Sequence, residues 1–79
     1  MNWKDHIIAT ADTCFGKPRI NGTRITVELV LSYIATGKTE ADILEAYPHL
    51  TVEQIRAAVA FAASRVSRET TLSGFEAAA

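Results

Sequence analysis

Residues 16–27 read GKPRINGTRITV, and the reading of this stretch decides the fold. Pro18 fixes its own φ and removes a backbone donor, so it sits at a strand edge or a turn and not inside a helix. Asn21-Gly22 is a strong hairpin signal, because a type I′ turn needs positive φ at both central residues. The sequence therefore predicts that Pro18-Arg19-Ile20 pairs with Thr23-Arg24-Ile25 as a basic hairpin, with strands of about three residues that need helices behind them. Thr26 follows as a helix N-cap, its hydroxyl placed to accept a free first-turn N–H, and Glu28 adds negative charge near the positive helix end. Upstream, Ile7 and Ile8 form a candidate first strand.

Working outward, the first helix is expected from Val27 to Thr36, with Gly37 as the left-handed residue that stops it. Val27, Leu29, Val30, Leu31, Tyr33, Ile34 and Ala35 are apolar on nearly every face, the pattern of a helix buried all round. Thr39 and Asp42 have capping-box spacing and open a second helix, Glu40 to Tyr47, which Pro48 ends. Ile43, Leu44 and Tyr47 are its inward positions. Thr51 and Gln54 form a second capping box, and Leu50 and Ile55 the matching hydrophobic staple. The third helix is expected to reach Val66, with Val52, Ile55, Val59, Ala62 and Val66 as its core stripe. Ala57, Ala60 and Phe61 fall off that stripe and form a second apolar surface.

The expected fold is mainly α with a small β part. Short N-terminal strands or a hairpin precede a three-helix bundle whose last two helices have helix-turn-helix spacing. The 79 residues form one domain: residues 6–26 a β-arm with the basic hairpin, residues 27–66 the bundle, and residues 67–79 a C-terminal tail. Leu72 and Phe75 are that tail's apolar anchors.

A chain this short is marginally stable alone, and its single cysteine, Cys14, allows no internal disulfide. With 48% hydrophobic residues, self-association is the expected remedy. No run approaches the roughly 18 apolar residues of a membrane span, and no signal-peptide core is present, so a reduced, cytoplasmic protein is expected. The net charge of −1 argues against a protein that coats nucleic acid. Charge is nevertheless uneven. Lys4, Lys17, Arg19 and Arg24 face only Asp5 and Asp12 in the first 26 residues, whereas acids outnumber cations in the rest. A basic arm on an acidic body speaks about partners.

The segments Cys14-Phe15-Gly16-Lys17-Pro18-Arg19-Ile20, Gly22-Thr23-Arg24-Ile25-Thr26-Val27, Gly37, Ile43-Leu44-Glu45-Ala46-Tyr47-Pro48-His49-Leu50-Thr51 and Ile55-Arg56-Ala57-Ala58 together carry a family resemblance. Over roughly residues 6 to 63 the chain resembles the bacterial proteins catalogued as domain of unknown function 433, an antitoxin-like, homeodomain-like family. The resemblance implies a β-plus-trihelical domain often encoded beside a PIN-like nuclease that acts as toxin. It implies a VapB-type antitoxin of a toxin–antitoxin system, with possible repression of its own operon. Ala9-Thr10-Ala11-Asp12-Thr13 lacks the Asp-Pro pair common in relatives, and residues 64–79 lie outside the shared region.

Lys17, Arg19 and Arg24 are candidates for contact with phosphate or with an acidic nuclease site, since cationic groups bind both and the planar Arg fork binds either bidentately. The competing reading is local: Arg24 holding a carbonyl or acid and fixing the hairpin. If the last two helices read DNA, Thr51, Glu53, Gln54 and Arg56 enter the major groove, with Gln54 suited to adenine and Arg56 to guanine or phosphate. Against this, Gln54 is also a capping residue and Glu53 repels phosphate. Leu29, Tyr33 and Phe61 are the expected homodimer interface. No catalytic, cofactor-binding or metal residue is assigned, because His6, His49 and Cys14 are scattered and no nucleophile with a base emerges. Cys14 is expected as a small buried apolar residue. Two functions follow. One is a non-enzymatic antitoxin that binds a PIN-like nuclease; the alternative is a DNA-binding transcription regulator acting on operator DNA.

Overall fold

The computed structural model describes residues 2–69. The protein is mainly helical, with a short two-stranded antiparallel sheet at the N-terminus. Strand β1 is Ile7–Ile8 and β2 is Arg19–Ile20, with Ile7 opposite Ile20 and Ile8 opposite Arg19. Helices α1 (Val27–Ala35), α2 (Glu40–Ala46) and α3 (Val52–Glu69) follow. A 3₁₀ turn over Trp3–Asp5, capped by the Asn2 side chain, lays Trp3 edge-on against Phe61 of α3 at 4.9 Å between ring centroids.

The helix boundaries follow from their caps. Thr26 Oγ1 accepts the Leu29 N–H at 3.1 Å, and Thr39 and Thr51 form reciprocal boxes with Asp42 and Gln54. At the end of α1, Gly37 takes φ +90°. Its N–H bonds the Ile34 carbonyl while the Lys38 N–H bonds that of Tyr33, which is a Schellman closure. Tyr47 leaves the helix one residue earlier than expected, with φ −131° and ψ 77°, outside the helical region that a following proline disfavours.

The hairpin differs from the sequence expectation. Only Gly22 takes positive φ (+83°), so Asn21-Gly22 is not a type I′ turn. The Thr23 N–H closes a four-residue turn on the Ile20 carbonyl. The returning chain meets β2 two residues later than predicted: the Ile20 N–H bonds the Ile25 carbonyl and Arg19 bridges to Thr26. Three competing bonds set this register. The Asn21 N–H is taken by the His6 carbonyl at 2.7 Å, and the Thr23 hydroxyl holds both the Ile20 carbonyl and the Ile25 N–H. The regular partner of β2 is therefore β1.

The core draws on β2 and all three helices: Ile20 from β2, Val30 from α1, Ile43 from α2 and Ile55 from α3 are its largest fully buried side chains. Ile25, Val27, Leu50 and Ala58 complete it. On α3 the buried stripe is not the expected one. Ile55, Ala57 and Ala58 face inward, while Val59 is 40% and Val66 59% exposed. Beside Ile55, α3 turns the small Ala57 and Ala58 to the interior, while Val59 and Val66 stay outside. The helix continues to Glu69, three residues past the expected end, through Ser67, Arg68 and Glu69, none of which breaks a helix. Leu72 and Phe75 lie outside the described residues.

Helix α1 is not buried all round within one chain. Val27 and Val30 are buried, Leu29, Leu31 and Tyr33 are half-buried, and Ile34 remains 41% exposed.

Candidate interaction surfaces

The cations of the arm have three different fates. Arg19 is half-buried: its Nε donates to the Thr23 carbonyl at 3.0 Å and a terminal nitrogen to the Thr10 hydroxyl at 3.1 Å. It is the strut that ties the turn after β2 to the loop before it. Lys17 pairs with Glu28 at 2.8 Å, and this bond holds the Glu28 carboxyl below and the Lys17 amine above their ordinary ranges. The Arg24 side chain is exposed and makes no hydrogen bond or ion pair among the described residues. The local role expected of Arg24 belongs to Arg19.

The helix-turn-helix candidates are also engaged. Gln54 Oε1 accepts the Thr51 N–H at 2.8 Å. Arg56 forms a fork on Glu40, with its Nε 2.9 Å and a second nitrogen 3.2 Å from the two carboxylate oxygens. That fork lowers the Glu40 carboxyl and raises the Arg56 guanidinium. It ties the first turn of α2 to α3. Exposed pairs of this kind contribute little to stability, but they remove a free charge from the surface.

Leu29, Tyr33 and Phe61 do not share one face. Leu29 and Tyr33 line a shallow depression with Ser32 and Thr36. Tyr33 also meets Tyr47 edge-on at 6.0 Å, and its neighbouring hydroxyl pushes the Tyr47 phenol up. Phe61 lies on another flank of α1, in an apolar groove of about 500 Å³ between α1 and α3. Val27, Leu31 and Ala35 form one wall and Phe61, Ala62 and Val66 the other, with Pro18 at one end. Glu28 and Arg65 also line the groove, Arg65 lying 5.2 Å over the Phe61 ring.

Beside this groove the chain makes a left-handed turn. Cys14, Phe15 and Gly16 take φ of +52°, +56° and +77° in succession. Each non-glycine residue held there costs about 1–3 kcal/mol, and such strain persists only where the surroundings enforce it. The enforcing bonds are present: Gly16 N–H to the Thr13 carbonyl, Lys17 N–H to the Cys14 carbonyl, and the Cys14 thiol to the Arg24 carbonyl at 3.6 Å. Cys14 is half-buried and hydrogen-bonded, not the buried apolar filler expected. The product of this strain is a Phe15 side chain that is 99% exposed. Among the described residues, no group of three or more His, Cys, Asp or Glu side chains converges as a metal site would require.

The sequence profile of the family described as protein of unknown function (DUF433) matches residues 7–62. The chain belongs to this family. Its fold is shared with a solved structure of a DUF433 member from Anabaena variabilis, at 31% identity and a TM-score of 0.76. That match covers 82% of this chain and 64% of the Anabaena chain, so the protein spans less than two thirds of its solved relative. No curated protein matches the chain.

The family match contains the whole left-handed turn and α1, and it ends at Ala62 inside the groove wall. Sequence reasoning missed Phe15 as a surface residue. The signal was faint: Phe15-Gly16 follows the polar run Thr10 to Thr13 with no apolar periodicity. Nothing local marks Cys14 and Phe15 for positive φ, a conformation non-glycine residues seldom take.

Proposed function

We propose that the protein is a VapB-type antitoxin of a type II toxin–antitoxin pair, a non-enzymatic, cytoplasmic homodimer that neutralises a PIN-like nuclease by protein–protein binding. One observation carries this reading: apolar groups stand open on the surface, while three of the cations suited to nucleic-acid contact are engaged within the chain. Phe15, Ile34, the Leu29–Tyr33 depression and the α1–α3 groove are open, while Lys17, Arg19 and Arg56 are spent on partners within the chain. Exposed apolar patches of this kind belong to protein interfaces. The motif resemblance around GKPRINGTRITV supplies the class of partner, and Arg24 is the free cation suited to a carboxylate there. Co-expression with the nuclease encoded beside it tests the reading. A stable complex and restored growth are expected; absence of both would sink it.

A second reading is favoured by α2 and α3 being joined by the short segment 47–51, with Thr51, Glu53 and Arg56 exposed at the start of α3. In this reading the protein binds operator DNA and regulates transcription. Direct base reading would require Arg56 to leave Glu40 and Gln54 to give up its cap. Salt-sensitive retardation of its own promoter fragment is the expected result, because phosphate contacts release counterions. A fragment unshifted at low salt by free protein and by complex counts against it.

A further inference from the structure

Phe15 projects from a strained, hydrogen-bonded turn, and the apolar groove of α1 and α3 opens close beside it. Pro18 lines that groove and lies three residues from Phe15, so their Cα atoms are at most about 11 Å apart. The Lys17 ammonium, between them in sequence, touches Glu28 on the groove itself at 2.8 Å. Yet Phe15 does not fill its own groove, since 99% of it is exposed. A knob and a hole close together on one chain are what a two-fold interface can use, because each copy presents both to the other.

We propose that the protein forms a two-fold symmetric dimer in which Phe15 of each copy enters the α1–α3 groove of the other. The open groove, about 500 Å³ and lined by Leu31 and Phe61 among others, is large enough in volume for a benzyl side chain. Charge selects a second copy over other occupants. Asp12, Lys17 and Arg24 are the charged residues near the knob, and Glu28 and Arg65 line the hole, with Lys17 and Glu28 paired to each other. Such a patch of mixed sign carries little net field toward an acidic or a basic partner and does not strongly repel itself. A Phe wedged between DNA base steps needs phosphate contacts around it. Here Lys17 is held by Glu28 and Arg19 by Thr23 and Thr10, which leaves Arg24 alone on the arm's outer turn. This dimer deepens the self-association proposed above and rests on it.

Sedimentation of the full chain from micromolar to hundreds of micromolar tests the arrangement with two variants. Phe15→Asn removes the ring and supplies a residue that tolerates left-handed φ, so the fold is kept. Ala35→Trp fills the groove from an exposed position at the end of α1. Each is expected to weaken dimerisation at least about 100-fold, because both symmetric contacts are lost at once. An equimolar mixture of the two should recover a heterodimer, since the intact groove of one receives the intact Phe15 of the other. Circular dichroism checks that both fold, and Phe15→Gly and Ser32→Trp replace either one that does not.

A wild-type dimer that both variants leave unchanged would overturn the knob-in-groove contact while dimerisation through another face stands. Variants that stay monomeric when mixed would overturn it as well. A wild type that is monomeric throughout would overturn self-association and this interface together. If that monomer lost promoter binding on Phe15→Asn, Phe15 would belong to nucleic acid instead.

Discussion

The capped pair α2–α3 and the arm over residues 13–26 use similar residues in opposite ways. In α2–α3, Thr39, Asp42, Thr51 and Gln54 find their partners three residues away, each within its own helix start. In the arm, Arg19 bonds Thr10, Lys17 bonds Glu28 and Cys14 bonds the Arg24 carbonyl, across nine to eleven residues. Local caps fix the starts of both helices, and one longer bond, the Arg56–Glu40 fork, ties them together. In the arm several longer bonds surround a turn, itself closed by local backbone bonds, that holds Phe15 in water. Rigid presentation limits the ordering cost of binding, which is the physical advantage of building an interface on such a turn.

The comparison can be broken or sharpened by experiment. The largest effect is expected in the core that both regions share. Ile43→Ala, at a side chain with no exposed surface, should cost about 2–5 kcal/mol in urea unfolding, enough to unfold much of a domain this small. Next comes Arg19→Ala, which strips a half-buried carbonyl and hydroxyl of their donor. A loss of about 1.5–3 kcal/mol is expected, against less than about 0.5 kcal/mol for Arg24→Ala. Equal losses at the two arginines would erase the distinction between strut and contact residue.

Thr51→Ala should cost about 1 kcal/mol by leaving the Gln54 N–H without its cap, with Thr39→Ala similar and less severe on the shorter helix. Thermal melts of the two variants measure this. The smallest effect is on pH dependence. Glu28 and Glu40 titrate below the ordinary 4.5 and Asp42 below 3.8, held first by Lys17, by Arg56 and by the Thr39 backbone respectively. Their stabilisation is therefore complete above those ordinary values and is lost as pH falls through the lower folded ones. Unfolding at neutral and strongly acidic pH should show a decline on acidification that Glu40→Gln makes shallower. Glu28 and Asp42 are exposed and Glu40 partly so, and high salt should therefore shrink the difference.

Legibility in the sequence followed the range of the interactions. The three helix starts, the Gly37 stop and the inward Ile43 and Ile55 were readable, because capping boxes and core periodicity act within one or two turns. The register after Asn21-Gly22 was not, since it depends on which distant group takes the Asn21 N–H, and that group is the His6 carbonyl. The core face of α3 was misread for a related reason. Periodicity could not say that Ala57 and Ala58, rather than Val59 and Val66, would meet the rest of the fold.

The sequence by itself therefore determined the three helices and the chain reversal at Gly22, with a cationic arm before them. These are set by φ preferences and by hydrogen bonds to neighbours. Only the tertiary structure decided that Arg19 is a strut and Arg24 a free cation, and that Phe15 stands out beside an apolar groove. Identical side chains diverge in this way because burial and long-range pairing, unlike propensity, depend on where the rest of the chain comes to lie.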